Sequence, residues 1–598
     1  MISGKISIAC VQANPTVGDV AGNLAIVRRE RERFRGKADL LVFSECFVTG
    51  YPLGDLVMRP AFLRDVREAV GGFAREIAGD GGPAVLLGAP REGGPRPFNS
   101  AFLIETDGTI QVSDKARLPN EEVYDEKRTF AEGPLPRPLA FRGLKLGVAI
   151  CEDFWHGEVT RALADEGADL LIVINGSHFK IGKQGVRLRL ARDTVHRLGI
   201  PLAYVNQVGG QDELAFDGGT FAMARSGNLL AQASFQEAAL LFDVAVGDSG
   251  ADFQVSLDDM ISNSTLSNSY PADWREAAWL AMATCGRDYV LKSGFGGKGV
   301  VIGMSGGLDS ALTAAIATDA LGSGKVLLVR MPYVYTDDES MDDAAEAARM
   351  LGARIVTVPI APIVEAMKAV MAPLFGTEGK TAEDVTEENF QARARGMVLM
   401  AISNKLGYMV LTTGNKSEMS VGFATLYGDM CGGFSLIKDC PKTMVVKLAR
   451  WRNASRPARC LGPDGPVMPE RIISKRPSAQ LAPGQTDEAV LGSYWHLDPV
   501  LLHLVDGMSP PERAAVLATR DARDEARQEA ALIGDHAERE RALADAELIT
   551  VTADYAERIG GLVRRAQYKR RQAPPGVVLT GRDFGLGWRF PIAGKYKL

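Results

Sequence analysis

The sequence predicts an α/β protein of two successive units, in each of which buried strands alternate with helices. Three observations carry this. Short apolar runs recur at Leu40 to Phe43, Ala84 to Leu87, Leu146 to Ile150, Leu170 to Ile174 and Pro201 to Val205, with helical stretches between them, as expected of strands covered on both faces. A second series, Val300 to Ile302, Val326 to Met331, Arg354 to Val358 and Tyr408 to Thr412, alternates with helices in the same way and implies a parallel, doubly wound sheet. The 598 residues are too many for one core at roughly 100–200 residues per domain.

Composition narrows the function classes. A hydrophobic content of 46% with 24% charged residues is that of an ordinary globular protein, and a net charge of −6 argues against a nucleic-acid surface. The longest apolar runs fall far short of a membrane span. Met1 to Cys10 alternates apolar and polar residues and reads as a first strand, not a secretory leader. Seven scattered cysteines form neither a disulfide framework nor a CxxC metal pattern, so a reduced, cytoplasmic chain is expected.

In the first unit, three residues stand at or just beyond strand ends. Glu45 follows Leu40 to Ser44; Lys115 follows a hairpin of Ala101 to Ile104 with Thr109 to Val112; Cys151 ends Leu146 to Ile150. A thiol at a sharp strand end can attack a carbonyl, a carboxylate can take its proton, and an ammonium can stabilise the oxyanion. Taken singly, each also has an ordinary reading: a core thiol, a surface carboxylate, a solvated turn lysine. Spacing does not decide between them.

The surrounding motifs are more specific. Ser44-Glu45-Cys46-Phe47-Val48-Thr49-Gly50-Tyr51, then Lys115-Ala116-Arg117-Leu118-Pro119-Asn120 with Tyr124-Asp125-Glu126-Lys127-Arg128, then Cys151-Glu152-Asp153-Phe154-Trp155 occur in that order. Over roughly the first 245 residues the chain resembles the nitrilase, or carbon–nitrogen hydrolase, family. The resemblance implies a four-layer αββα sandwich and amide hydrolysis through a cysteine thioester. Glu45 would be the general base, Lys115 the oxyanion stabiliser, Cys151 the nucleophile and Glu126 a supporting carboxylate. Tyr124, Ser177 and Lys183 fall where glutaminase members hold glutamine, although Ser177-His178-Phe179 departs from the Ser-Pro of that pattern.

Residues 247–273, rich in Asp, Ser and Asn, read as a linker between a first domain, 1–246, and a second, 274–598. A helix from Trp274 to Lys292 opens the second. Then Val300 to Ile302 runs into Gly303-Met304-Ser305-Gly306-Gly307-Leu308-Asp309-Ser310 and a helix. A strand, a small-residue loop and a helix start form a phosphate cradle: the glycines let backbone N–H groups approach an anion, Ser305 and Ser310 add hydroxyls, and Asp309 can hold Mg²⁺. No Lys follows the glycines, so this is not a Walker loop. It resembles the loop of the ATP pyrophosphatases, of adenine-nucleotide alpha hydrolase type with a Rossmann-like sheet. Glu418, in Thr413-Gly414-Asn415-Lys416-Ser417-Glu418, is a second candidate Mg²⁺ ligand; its ordinary alternative is a helix-start carboxylate.

Together with Asn389 to Arg395, Tyr427-Gly428-Asp429, Arg476-Pro477-Ser478-Ala479 and Tyr568-Lys569-Arg570-Arg571, that segment resembles the NAD synthetase family in its glutamine-dependent form. The resemblance implies ATP contacts at the 303–310 loop, Thr413, Lys442 and Ser478. Asn389, Arg393, Glu418 and Lys569 would surround deamido-NAD, with Asp309 and Glu418 on Mg²⁺. Leu426 stands where the short form has a Lys, so that contact is not carried over. The implied reaction is amidation of deamido-NAD to NAD with ATP and ammonia from glutamine, through an adenylate. The expected partners are small-molecule substrates and further copies of the chain, without nucleic acid or membrane. Three stretches carry no motif: 373–386 reads as a lid, 452–470 as a surface loop, and 512–548 as one charged helix.

Overall fold

The computed structural model describes residues 5–247, 250–254, 270–380, 382–475, 481 and 491–593. The chain divides into two compact units, Met1–Asp288 and Tyr289–Leu598.

The first unit holds two large sheets. One runs in the order Gly250–Gln254, Ala238–Gly247, Ile6–Gln12, Leu40–Val42, Ala84–Arg91, Phe98–Ile104, Ile110–Asp114; the other runs Leu229–Gln232, Phe221–Met223, Leu202–Asn206, Leu170–Asn175, Leu144–Ile150, Leu139–Phe141. The central strands of both are parallel. Period-2 alternation sorts their side chains. Ile8, Leu40, Leu86, Val148, Ile172 and Val205 meet in one core between the sheets. Ala9, Leu41 and Val85 face the opposite way, onto helices Val20–Arg33 and Pro60–Ile77. On the second sheet Ala149, Leu171 and Val173 pack on Leu163 of Gly157–Asp165 and on Ala191 and Val195 of Lys183–Leu198. The layers are therefore αββα. The strand Gly250–Gln254, antiparallel to Ala238–Gly247, lies within the stretch read as a linker, of which 255–269 fall outside the described residues.

In the second unit five parallel strands run in the order Arg354–Thr357, Val326–Arg330, Val300–Gly303, Met409–Thr412, Phe434–Ser435. Chain order reverses between Val300–Gly303 and Met409–Thr412, and the loops beyond their carboxyl ends are 304–307 and 413–415. That is where an open α/β sheet places its ligand. A separate apolar cluster, including Leu497, Val500, Ala515, Ile559 and Val563, is built from Tyr494–Leu501, Pro511–Ala531 and Ala553–Arg565.

Three expectations are corrected. The charged stretch 512–548 is two helices, Pro511–Ala531 and His536–Leu548; the Asp535 side chain accepts from Glu538 N and starts the second. Residues 373–377 are the last turn of helix Ala361–Thr377, where Thr377 Oγ1 donates to Pro373 O at 2.9 Å, and residues 385–386 open helix Val385–Leu406, so of the described residues in this stretch only 378–380 and 382–384 lie outside a helix. Arg452 is no surface residue: it ends up fully buried on Asp319 at 2.7 and 3.0 Å and donates to the carbonyls of Pro463 and Gly465. The following residues form a strap fixed to helix Leu308–Leu321. Among the described residues no helix is long and apolar enough to cross a membrane.

Candidate active sites

In the first unit, Leu144–Ile150 ends in a tight turn, Cys151–Trp155, with Cys151 at φ 49°. An L residue takes this left-handed conformation at a cost, and here it lifts the thiol off the strand line. Asp153 fixes the turn. Its Oδ2 accepts from Ile150 N at 3.1 Å, and its Oδ1 accepts from Ala116 N and Arg117 N at 3.0 and 2.8 Å. One carboxylate thus staples the residues on both sides of Cys151 to those following Lys115. Burial raises Asp153 to about 6 against the pull of these N–H donors.

Glu45 and Lys115 are fully buried, with Lys115 Nζ 2.6 Å from Glu45 Oε1 and 2.8 Å from Glu126 Oε2. Burial alone would lower the Lys115 pKa, but Glu126 and Glu45 outweigh it and hold the ammonium charged. The remaining carboxylate atoms are also satisfied: Asn99 Nδ2 donates to Glu45 Oε1, Gly176 N to Glu45 Oε2 and Tyr51 OH to Glu126 Oε1, each at 2.7 Å. Close backbone packing makes room for this. A Cβ on Gly88 would lie 2.2 Å from Cys46 N, so only glycine fits behind Glu45. Burial, then the Glu45 charge, pushes the Cys151 thiol well above its usual range, with Lys115 opposing. Cys151 is therefore a thiol at rest, with the Glu45 and Lys115 charges both acting on it.

The three glutamine candidates lie around the same turn. Tyr124 OH is 2.7 Å from His178 Nδ1, and Lys183 Nζ sits over the Tyr124 ring at 5.8 Å from its centroid. Lys183 is half-buried; burial, then Arg187, lowers it to about 7. Ser177 is buried, its N donating to Asn206 Oδ1 at 3.0 Å and its Oγ accepting from Arg187, which also pairs with Asp217 at 2.9 Å. Sequence reasoning missed Asn99, Tyr51 and the role of Asp153. Only Asp153 had a local signal, a carboxylate two residues after a strand-end cysteine.

In the second unit the 303–310 loop turns through Gly306 at φ 83°, where a Cβ would strike Ser340 O at 2.2 Å. Gly307 precedes helix Leu308–Leu321 with no side chain capping it. Met304 and Leu308 are buried anchors, whereas Ser305 and Gly307 are exposed. Ser305 Oγ accepts from Gly307 N at 3.2 Å and lies 3.1 Å from Ser310 Oγ, so both hydroxyls are held at the turn. An exposed loop of N–H and O–H groups at a helix start suits a phosphate chain.

Asn415 joins this loop to the next. Its Nδ2 donates to Asp309 Oδ1 at 3.1 Å, while its Oδ1 accepts from Glu418 N at 3.0 Å and its own N donates to Glu418 Oε2 at 3.3 Å. Lys442, buried, pairs with Asp309 Oδ2. Thr413 adjoins them on the same loop. Asn389, Arg393 and Lys569 all converge on residues 422–426. Thr425 Oγ1 donates to Asn389 Oδ1 at 2.8 Å, Arg393 Nε donates to Leu426 O at 3.2 Å, and Lys569 Nζ donates to Gly422 O and Ala424 O at 2.9 and 2.8 Å. Burial lowers the Lys569 pKa, with Asp429 opposing. A small pocket lies beside this set, lined by Thr412, Gly414, Glu418, Asp429, Ser435 and Lys438 among others. Ser478 lies outside the described residues. Asn415 and the loop 422–426 are the functional candidates that motif reading passed over.

Comparisons with known proteins agree with both halves. The carbon-nitrogen hydrolase family model matches residues 7–250 and the NAD synthase model residues 279–531. A glutamine-dependent NAD(+) synthetase from Rhodobacter capsulatus is 39% identical over 599 residues, covering all of both chains. One from Thermotoga maritima is 37% identical over 99% of each. The solved structure of the Acinetobacter baumannii glutamine-dependent NAD+ synthetase in complex with ADP is 34% identical, covers 98% of both chains and aligns with a TM-score of 0.72.

Proposed function

Since the chain belongs to the glutamine-dependent NAD(+) synthetases, we propose that residues 1–246 release ammonia from glutamine and that residues 274–598, beyond the 247–273 linker, use it to amidate deamido-NAD with ATP. The observation that supports this most directly is the buried Glu45–Lys115–Glu126 set, at 2.6 and 2.8 Å, acting on the Cys151 thiol.

Because the thiol is protonated at rest, Glu45 must take its proton as sulfur attacks the side-chain carbonyl of glutamine. Lys115, kept charged by two carboxylates, faces the negative charge that develops on the carbonyl oxygen. Glu45 then returns the proton to the departing nitrogen, and ammonia leaves a thioester on Cys151. Water, deprotonated by Glu45, hydrolyses the thioester to glutamate and the free thiol. Ser177, Tyr124 and Lys183 hold the amino-acid end of the substrate.

In the second half the nicotinate carboxylate of deamido-NAD attacks the α-phosphate of ATP, and pyrophosphate leaves into the 303–310 loop. Thr413, Lys442 and Ser478 contact ATP, and Asn389, Arg393, Glu418 and Lys569 surround the dinucleotide. Ammonia displaces AMP from the adenylate to give NAD. Asp309 and Glu418, both tied to Asn415, suit Mg²⁺, which takes one or two protein carboxylates and completes its shell with phosphate oxygens and water. Bound there, Mg²⁺ would offset the phosphate charge. Seven free thiols, with Cys151 required as one, suit the reducing cytoplasm.

The test is Cys151→Ala with two nitrogen sources. Glutamine-dependent NAD formation and glutamine hydrolysis are expected to vanish, while high ammonium salt at mildly alkaline pH, where NH₃ is more abundant, restores NAD formation. Persistence of glutamine-dependent synthesis would remove Cys151 from the reaction.

A further inference from the structure

His178 is fully buried, yet among the described residues its Nε2 has no hydrogen-bond partner. Unsatisfied buried polar atoms are few in folded proteins and call for an explanation. Its other nitrogen is engaged: Nδ1 lies 2.7 Å from Tyr124 OH, whose oxygen also accepts from the His178 backbone N at 3.3 Å. Tyr124 OH has one proton, and giving it to Nδ1 satisfies both groups, which puts the imidazole proton on Nε2. The ring is neutral, because burial and then the charges of Lys183, Lys180 and Arg187 drive its pKa well below the usual histidine value. Of those three cations, Lys180 is paired with Glu122 at 2.5 Å and Arg187 with Asp217 at 2.9 Å. Lys183 has the Tyr124 ring and, among the described residues, no salt-bridged carboxylate, Asp217 acting on it only at longer range. Two donors against one tyrosine, the His178 N–H and the Lys183 ammonium, thus lack an acceptor among the described residues. Gly176 N, two residues before His178, donates to Glu45 Oε2 at 2.7 Å, and the Tyr124 ring lies 6.3 Å from that of Tyr51, which donates to Glu126, so the Tyr124–His178 pair borders the Glu45–Lys115–Glu126 set.

We propose that His178 is a further glutamine-recognition residue, its Nε2–H donating, beside the Lys183 ammonium, to the α-carboxylate of the substrate. This rests on the glutaminase reading and deepens it. It assigns the selection of a free amino acid over a simple amide to a buried Tyr124–His178 pair.

The experiment compares ammonia release by the full chain from glutamine and from 4-aminobutanamide, which is glutamine without its α-carboxylate. His178→Ala is expected to raise KM for glutamine about tenfold or more, the loss of one hydrogen bond to a charged group, with kcat little moved and KM for 4-aminobutanamide unchanged. His178→Phe keeps a flat ring of similar volume but removes the Nε2 donor. It is expected to raise KM for glutamine selectively as well, and it decides the matter if His178→Ala does not fold. Equal loss on both amides, or no change in the ratio, overturns the assignment while leaving the glutaminase reading standing. A wild-type chain that hydrolyses neither amide overturns both.

Discussion

At the scale of single residues, the first site works by opposing burial with charge. Lys115 stays an ammonium because Glu126 and Glu45 outweigh its desolvation, whereas Lys183, which Asp217 supports too weakly to offset burial and Arg187, is lowered to about 7. A carboxylate substrate needs Lys183 charged, so kcat/KM for glutamine is expected to fall as pH rises through about 7, that profile reporting the free enzyme. Lys183→Arg, which stays charged, is expected to flatten the decline between pH 7 and 9; a wild-type profile that rises through this range would sink the assignment. Asp153 carries a different load. In Asp153→Asn one oxygen becomes an N–H facing a backbone N–H, at a cost of about 1–3 kcal/mol for each group left unsatisfied. Glutamine hydrolysis is expected to drop steeply while synthesis from ammonium salt persists, and parallel kinetics on the two nitrogen sources check this.

At the scale of elements, the second site depends on how its phosphate-loop helix is backed. Arg452, on helix Lys442–Ala454, reaches Asp319 near the end of helix Leu308–Leu321, and the strap after it closes over the same pair, with Leu461 N donating to Asp319 O at 2.8 Å. Removing one member of a buried ion pair strands the other charge, typically at about 3–5 kcal/mol. Arg452→Ala is therefore expected to destabilise the second unit by that order. Denaturant unfolding followed by tryptophan fluorescence would report it, Trp451 being adjacent, and a midpoint matching wild type would show that the pair is dispensable. Lys442 starts the same helix and pairs with Asp309, so one element carries both the structural brace and a proposed ATP contact.

At the scale of the whole molecule, the two proposed chemistries fall in two compact units, each with its own sheets and core. The proposed nucleophile set and the proposed phosphate loop share no residue. Ser305→Ala combined with Asp309→Ala is accordingly expected to abolish NAD formation from glutamine and from ammonium salt alike, while leaving measurable glutamine hydrolysis. Assaying glutamate and NAD in the same reaction checks it; loss of both products would mean that the first site cannot turn over without the second loop.

The backbone periodicities, the strand-end position of Cys151 and the Gly303–Ser310 loop were legible in the sequence because each is a local property: alternation buries a strand, and glycine alone tolerates Gly306 beside Ser340. Most of the partners were not. Asn99 reaches Glu45 across 54 residues, Tyr51 reaches Glu126 across 75, Asn415 reaches Asp309 across 106 and Arg452 reaches Asp319 across 133. Read singly, Glu45 and Arg452 are surface charges. Only the packed fold decides which distant group meets a buried charge, since an unpaired one would be too costly to bury, and no local pattern encodes that choice. The sequence by itself therefore determined the elements and the reactive groups they carry. The tertiary structure decided their pairing, and with it the charged Lys115, the resting Cys151 thiol and the unpartnered His178 Nε2.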